Sequence, residues 1–91
     1  MKAEFEPAAR DELVASIRRY LTEAGSGEAS AFETEVARVI ALLIRLPELG
    51  APGIRNTRSI TLRRYPFSIH YRSEPDLIRI VAVVHHRRRP G

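Results

Sequence analysis

The chain of 91 residues contains no cysteine, which excludes a disulfide framework and any thiolate metal site. Lysine is almost absent too: Lys2 is the single one among 15 basic residues. The positive charge is therefore carried by guanidinium groups, planar forks suited to bidentate contact with phosphate or carboxylate. No apolar run approaches the roughly 20 residues of a membrane span. Glu4, Glu6 and Asp11 interrupt the start, where a secretory leader would need an apolar run, so a cytoplasmic protein is expected. Gly50-Ala51-Pro52-Gly53 is rich in breakers, yet no Lys-Ser/Thr follows it and no strand precedes it, which argues against a phosphate-cradling loop. Three histidines without cysteines or a converging carboxylate pair make a weak metal constellation. Neither a metal nor a cofactor is expected.

What is present divides unevenly. With 44% hydrophobic and 29% charged residues, the chain has the composition of an ordinary globular protein, and its length suits one domain over residues 1–91 with one core. Residues 1–50 hold 6 Lys/Arg against 9 Asp/Glu, a net of −3, while residues 51–91 hold 9 against 2, a net of +7, together the +4 of the whole chain. A basic half of this kind fits either an anionic partner or a solvated sheet face.

Hydrophobic periodicity gives a coarse architecture. Lys2–Glu6 alternates as a short strand with Ala3 and Phe5 on one side. Pro7 suits the first turn of a helix, and Leu13, Ile17, Tyr20 and Leu21 continue it at helical spacing to Ala24. Asp11 and Glu12 are expected in its first turn, where carboxylates favour the dipole, and Gly25 is a natural stop. A second helix runs to about Leu46, with Ser26 or Ser30 as its N-cap; Ser30-Ala31-Phe32-Glu33 has capping-box spacing. Phe32, Val36, Val39, Ile40 and Leu43 form its stripe, and Leu42 and Ile44 widen it. The breadth of that surface favours a helix sandwiched between the sheet and the first helix, with a partner-binding patch as the other reading.

Three β-patterned runs follow. Arg58–Leu62 places Ile60 and Leu62 on one side with Arg58 and Arg64, and Pro66 marks an edge or bend. Phe67, Ile69 and Tyr71 alternate with Ser68, His70 and Arg72. Ser73-Glu74-Pro75-Asp76 is turn chemistry, and Leu77–Val84 is the most apolar run. There Ile78, Ile80, Ala82 and Val84 are expected on one face, and Leu77, Arg79, Val81 and Val83 on the other. The predicted fold is α+β, with the order β-α-α-β-β-β and a helical hairpin on a mainly antiparallel small sheet.

Several pieces in this order carry a resemblance. They are Ile17-x-x-Tyr20, Leu46-Pro47-Glu48-Leu49-Gly50, Arg58-Ser59-Ile60-Thr61-Leu62, Arg64-Tyr65-Pro66-Phe67-Ser68-Ile69-His70-Tyr71, and Ile80-Val81-Ala82-Val83-Val84-His85 closing with Arg87-Arg88-Arg89-Pro90. The chain resembles the RelE/ParE superfamily of type II toxin–antitoxin toxins, and within it the ParE branch. The resemblance implies a cytoplasmic bacterial toxin encoded beside an antitoxin that wraps it. ParE-like members poison DNA gyrase, whereas RelE-like members cleave messenger RNA on the ribosome, and a shared fold does not choose between them.

For RNA cleavage, 2′-OH attack needs a base, an acid and cations for the phosphorane. The resemblance places Arg87 where an arginine follows the last strand. The position of a second arginine falls near Phe67, however, and neither tyrosine nor histidine follows the arginine cluster. His70 reads as a sheet-surface residue and His85 as a structural position at a strand end. A RelE-like endonuclease is therefore the alternative, and no catalytic residue is assigned. Gyrase binding asks only for a surface, and Arg58, Arg63, Arg64, Arg87, Arg88 and Arg89 are its candidates collectively. His86 stands where the family usually has glycine, and the residues usual beyond the Arg-Pro are absent, so a degenerate, inactive toxin is a further alternative. A DNA-binding module ranks last, because both helices are acidic or apolar. The implied partner is a ParD-like antitoxin whose disordered, acidic segment folds on the toxin, with Leu42, Ile44, Val81 and Val83 as its expected landing surface.

Overall fold

The computed structural model describes residues 1–88. Its elements are β1 (Lys2–Phe5), α1 (Pro7–Ala24), α2 (Ser26–Arg45), β2 (Ala51–Pro52), β3 (Thr57–Thr61), β4 (Phe67–Ser73) and β5 (Leu77–His85), closed by a 3₁₀ turn at His86–Arg88. The expected order stands, with one addition: the breaker-rich loop contains the two-residue strand β2, paired antiparallel to β3. The sheet runs β1-β5-β4-β3-β2. β1 lies parallel to β5 and every other pair is antiparallel, so β5 is flanked on both sides.

The helical hairpin is tighter than the sequence suggests. Gly25 adopts φ 94°, accessible to a residue without Cβ. Its N–H closes α1 on Leu21 O, and its carbonyl accepts the Ala29 N–H that opens α2. One glycine thus serves both helices. Ser26 is already helical, Ser30 lies a turn inside, and no side chain caps α2; the N-cap expectation for both serines is corrected. Because α1 begins at Pro7, Asp11 and Glu12 also fall beyond its first turn.

Both helices cover one face of the sheet. α1 lies along β5 and α2 lies along α1, so α2 is not interposed between α1 and the sheet. α2 meets the strands through Phe32, which contacts Tyr65 and Phe67 at ring-centroid distances of 5.3 and 4.9 Å. Phe32, Val36, Val39 and Leu43 from α2 join Ile69, Tyr71, Ile78 and Ile80 in one buried cluster. Each such side chain contributes about 1.5–3 kcal/mol of transfer free energy.

Two local features position the functional residues. The first is a register shift in β5. Tyr71 pairs with Ile80 and His70 with Ala82, which leaves Val81 as an extra residue in the ladder. The shift exchanges the two faces beyond Ile80. Val83 pairs with Ile69 and is 4% exposed, while Val84 is half-buried. The placement of Val83 on the outer face is therefore corrected: it is a core residue. Glu12 Oε1 accepts the Val83 N–H at 2.8 Å, a donor that β1 does not reach because its pairing ends at Ile80. Glu12→Ala is expected to lower stability by about 1–2 kcal/mol by orphaning that amide, while Glu12→Gln, which keeps an acceptor, stays nearer wild type; chemical denaturation measures both.

The second feature is the turn between β3 and β4. β3 ends at Thr61, not Leu62, and Leu62 N–H closes the turn on Phe67 O. Arg64 sits at φ 65°, outside any strand alternation. Glu74 N–H donates to Leu77 O across the β4–β5 turn, as its Ser-Glu-Pro-Asp chemistry suggests.

Candidate functional site

The arginines do not act as one face. Arg58 belongs to the far end of β3, where its guanidinium donates to Gly50 O at 2.8 Å and Glu48 O at 3.2 Å. It braces the loop after α2 and stands apart from the other arginines expected at a target-binding face. Arg63, Arg64 and Arg87 collect at the opposite end, because Phe67 pairs with His85 and His86 N–H donates to Pro66 O. All three are exposed. Of the remaining two, the backbone of Arg88 closes the 3₁₀ turn, and Arg89 lies outside the described residues.

An aromatic cluster underlies this basic end. Tyr20 from α1 lies 4.9 Å from Phe32 and 5.7 Å from Tyr65 between centroids. The Arg64 guanidinium sits 5.9 Å from the Tyr65 ring centroid, within cation–π range. Tyr65 Oη donates to Glu28 Oε2 at 2.9 Å. Burial raises the pKa of Tyr20, and the charge of Glu28 adds to the rise while Arg87 opposes it. Tyr65 is raised by burial, then by its bond to Glu28 and that carboxylate's charge, against Arg64. Both phenols stay neutral, and each has a cation beside it.

Beside this cluster runs a groove of about 570 Å³ between α1 and the end of β5. Glu12, Ser16, Arg19 and Glu23 line it from the helix, and Val84, His85 and Arg87 from the strand end. His85, the last residue of β5, and His86, the first of the 3₁₀ turn, point to opposite sides. His85 packs edge-on against Phe67 at 4.8 Å, on the helix side. His86 Nε2 lies 2.8 Å from Ser68 Oγ on the open side, where Ser68 also contacts Thr61 Oγ1 at 3.3 Å. His70 shares that open side. The structure thus joins Arg87 with His85 and separates both from His70 and His86. Phe67, near which the resemblance placed a second arginine, is 3% exposed and faces the core. Among the described residues, no three His, Asp or Glu groups converge as a metal site.

Of the expected antitoxin residues, Leu42, Ile44 and Val81 are half-buried, and Ile44 also packs on the core. The sequence gives Tyr20 as a helix-stripe residue and Glu12 as a helix-dipole carboxylate and leaves Glu28 unremarked; their contacts span 37 to 71 residues or cross between helices, and no local pattern announces such a pairing.

The family model described as "ParE toxin of type II toxin-antitoxin system, parDE" matches residues 3–90. The chain belongs to the ParE toxin family. Among solved structures, one described as a chromosomal ParDE TA system from P. aeruginosa is similar in fold to this ParE-family chain, at a TM-score of 0.80 and 23% identity, covering 93% of this chain and 95% of that one. No curated protein matches. The two helices and five-stranded mixed sheet are thus the fold of a ParE-family toxin. Among its described residues no helix is long and apolar enough to cross a membrane.

Proposed function

We propose that this ParE-family toxin acts in the cytoplasm by binding DNA gyrase and that a ParD-like antitoxin neutralises it by folding onto its surface. The observation that carries the reading is the basic end of the sheet. Arg63, Arg64 and Arg87 are exposed there beside a packed aromatic cluster, an arrangement that offers guanidinium groups to phosphate or carboxylate. The buried Phe67 favours a binding role over RNA cleavage, because it leaves the strand without the second cation that cleavage would call on. The experiment is a gyrase supercoiling assay with purified toxin. Dose-dependent inhibition relieved by antitoxin supports the reading, and unaffected gyrase at saturating toxin removes it.

The antitoxin's landing surface is proposed to include Leu42, Ile44 and Val81. Polar substitution at Leu42 and Val81, which lie outside the core cluster, is expected to weaken antitoxin binding roughly tenfold or more, the scale of losing about 1.4 kcal/mol of apolar contact. Calorimetric titration of folded variants measures this; wild-type affinity in the Leu42 and Val81 variants would move the surface elsewhere.

A further inference from the structure

We propose that His85 is a positioning residue whose Nδ1 fixes the turn that presents Arg87. The proposal rests on the reading that the basic end engages gyrase, but its first readout does not. β5 ends at His85, and the next residues turn at once into a 3₁₀ segment. Arg87 N–H donates to His85 Nδ1 at 3.0 Å. The imidazole is itself held, edge-on to Phe67 with an interplanar angle of 86°, on a ring that is 3% exposed. The backbone of Arg87 is thereby referenced to the core through one side chain.

The two histidines of the turn differ in what a proton does to them. His86 Nε2 contacts Ser68 Oγ at 2.8 Å, and an imidazolium Nε2–H still donates to a hydroxyl oxygen. The His86 N–H to Pro66 O bond, at 2.8 Å, does not involve the ring. His85 instead accepts, so it needs the lone pair on Nδ1, and protonation there converts the acceptor into a second donor facing the Arg87 N–H. The contact holds the turn while Nδ1 carries its lone pair and is lost when that nitrogen is protonated. Arg87 and Arg19 oppose that protonation from across the groove, Glu12 and Glu23 on α1 favour it, and Tyr20 stays neutral there. The Glu12 carboxylate is already engaged by Val83 N–H.

Asparagine and glutamine separate this role from packing. An Asn amide oxygen falls near the Nδ1 position and accepts at any pH, whereas a Gln amide falls near Nε2. Nitrogen-15 spectra would follow the Arg87 amide from about pH 8 to about pH 5 in wild type, His85→Asn and His85→Gln, with gyrase inhibition measured near pH 8. The wild-type Arg87 amide is expected to be downfield and exchange-protected at high pH and to lose both as the histidine titrates. His85→Asn should keep them throughout, and His85→Gln should lack them. Inhibition should fall roughly three- to tenfold in His85→Gln, the scale of one lost hydrogen bond, and less in His85→Asn. An Arg87 amide indifferent to pH and to His85→Gln overturns the proposal, as do equal inhibition losses in the two folded variants. If wild type leaves gyrase untouched, the functional reading falls, and the amide alone decides whether His85 sets the turn.

Discussion

Tyr71→Ala is expected to cost about 3–5 kcal/mol, the range for deleting a buried aromatic side chain. A domain with the usual 5–15 kcal/mol of stability would be largely depleted by it. Tyr71 is fully buried, and it also holds the loop after α2 through its hydroxyl. Gly50 N–H donates to Tyr71 Oη at 2.8 Å, and Tyr71 Oη donates to Pro47 O at 2.9 Å. The Leu46-Pro47-Glu48-Leu49-Gly50 segment is thus docked by two backbone groups on one phenol. Tyr71→Phe keeps the ring and orphans both groups, at about 1–3 kcal/mol. Gly50 is fitted from the other side, since a Cβ there would lie 2.7 Å from Tyr71 Oη and 2.9 Å from Ser59 O. Urea unfolding of the two tyrosine variants separates the ring from the hydroxyl, and a phenylalanine variant as stable as wild type would mean that the loop is held by other contacts.

Replacing Arg63, Arg64 and Arg87 together with alanine is expected to weaken gyrase inhibition at least roughly hundredfold. Each charge-assisted contact is worth about 1.5–3 kcal/mol, and loss of two already reaches that factor. Thermal stability should barely move, because all three side chains are exposed and surface changes usually stay within about 0.5 kcal/mol. Arg58→Ala should do the reverse. Its guanidinium is spent on Gly50 O and Glu48 O, so stability falls by about 1 kcal/mol while inhibition is retained. Melting curves and dose–response curves on the same preparations provide the comparison. Equal inhibition losses in the Arg58 variant and the triple variant would contradict a site confined to one end of the sheet.

The outline of the fold was legible because it rests on local signals. Pro7 opens α1, Gly25 ends it, and the alternation of Phe67, Ile69 and Tyr71 gives β4 its buried face. The errors of face and role arise where the sheet register or a distant contact overrides a local rule. One extra residue at Val81 turns Val83 inward, and nothing in an unbroken Ile-Val-Ala-Val-Val run marks the slip. The β2–β3 hairpin turns on Arg55 and Asn56, at φ 55° and 60°; asparagine tolerates that region but arginine does not advertise it. Glu12, expected to serve the helix dipole, serves the sheet. The arginine cluster was visible as composition, yet its division into a brace at Arg58 and a surface at Arg63, Arg64 and Arg87 needed the strand register. Charge counts say how many cations there are and leave open where each one points.

Engagement of gyrase by the basic end is the activity proposed for this ParE-family toxin. Its most direct test is trapping of gyrase-dependent double-strand breaks in plasmid DNA by purified toxin, run beside a ribosome-dependent mRNA cleavage assay. Linear plasmid that accumulates with wild type and disappears with the Arg63, Arg64 and Arg87 variant, with mRNA intact, is the predicted result. Codon-phased mRNA cuts with no gyrase-linked breaks would contradict it and turn Arg87 and His85 into catalytic candidates.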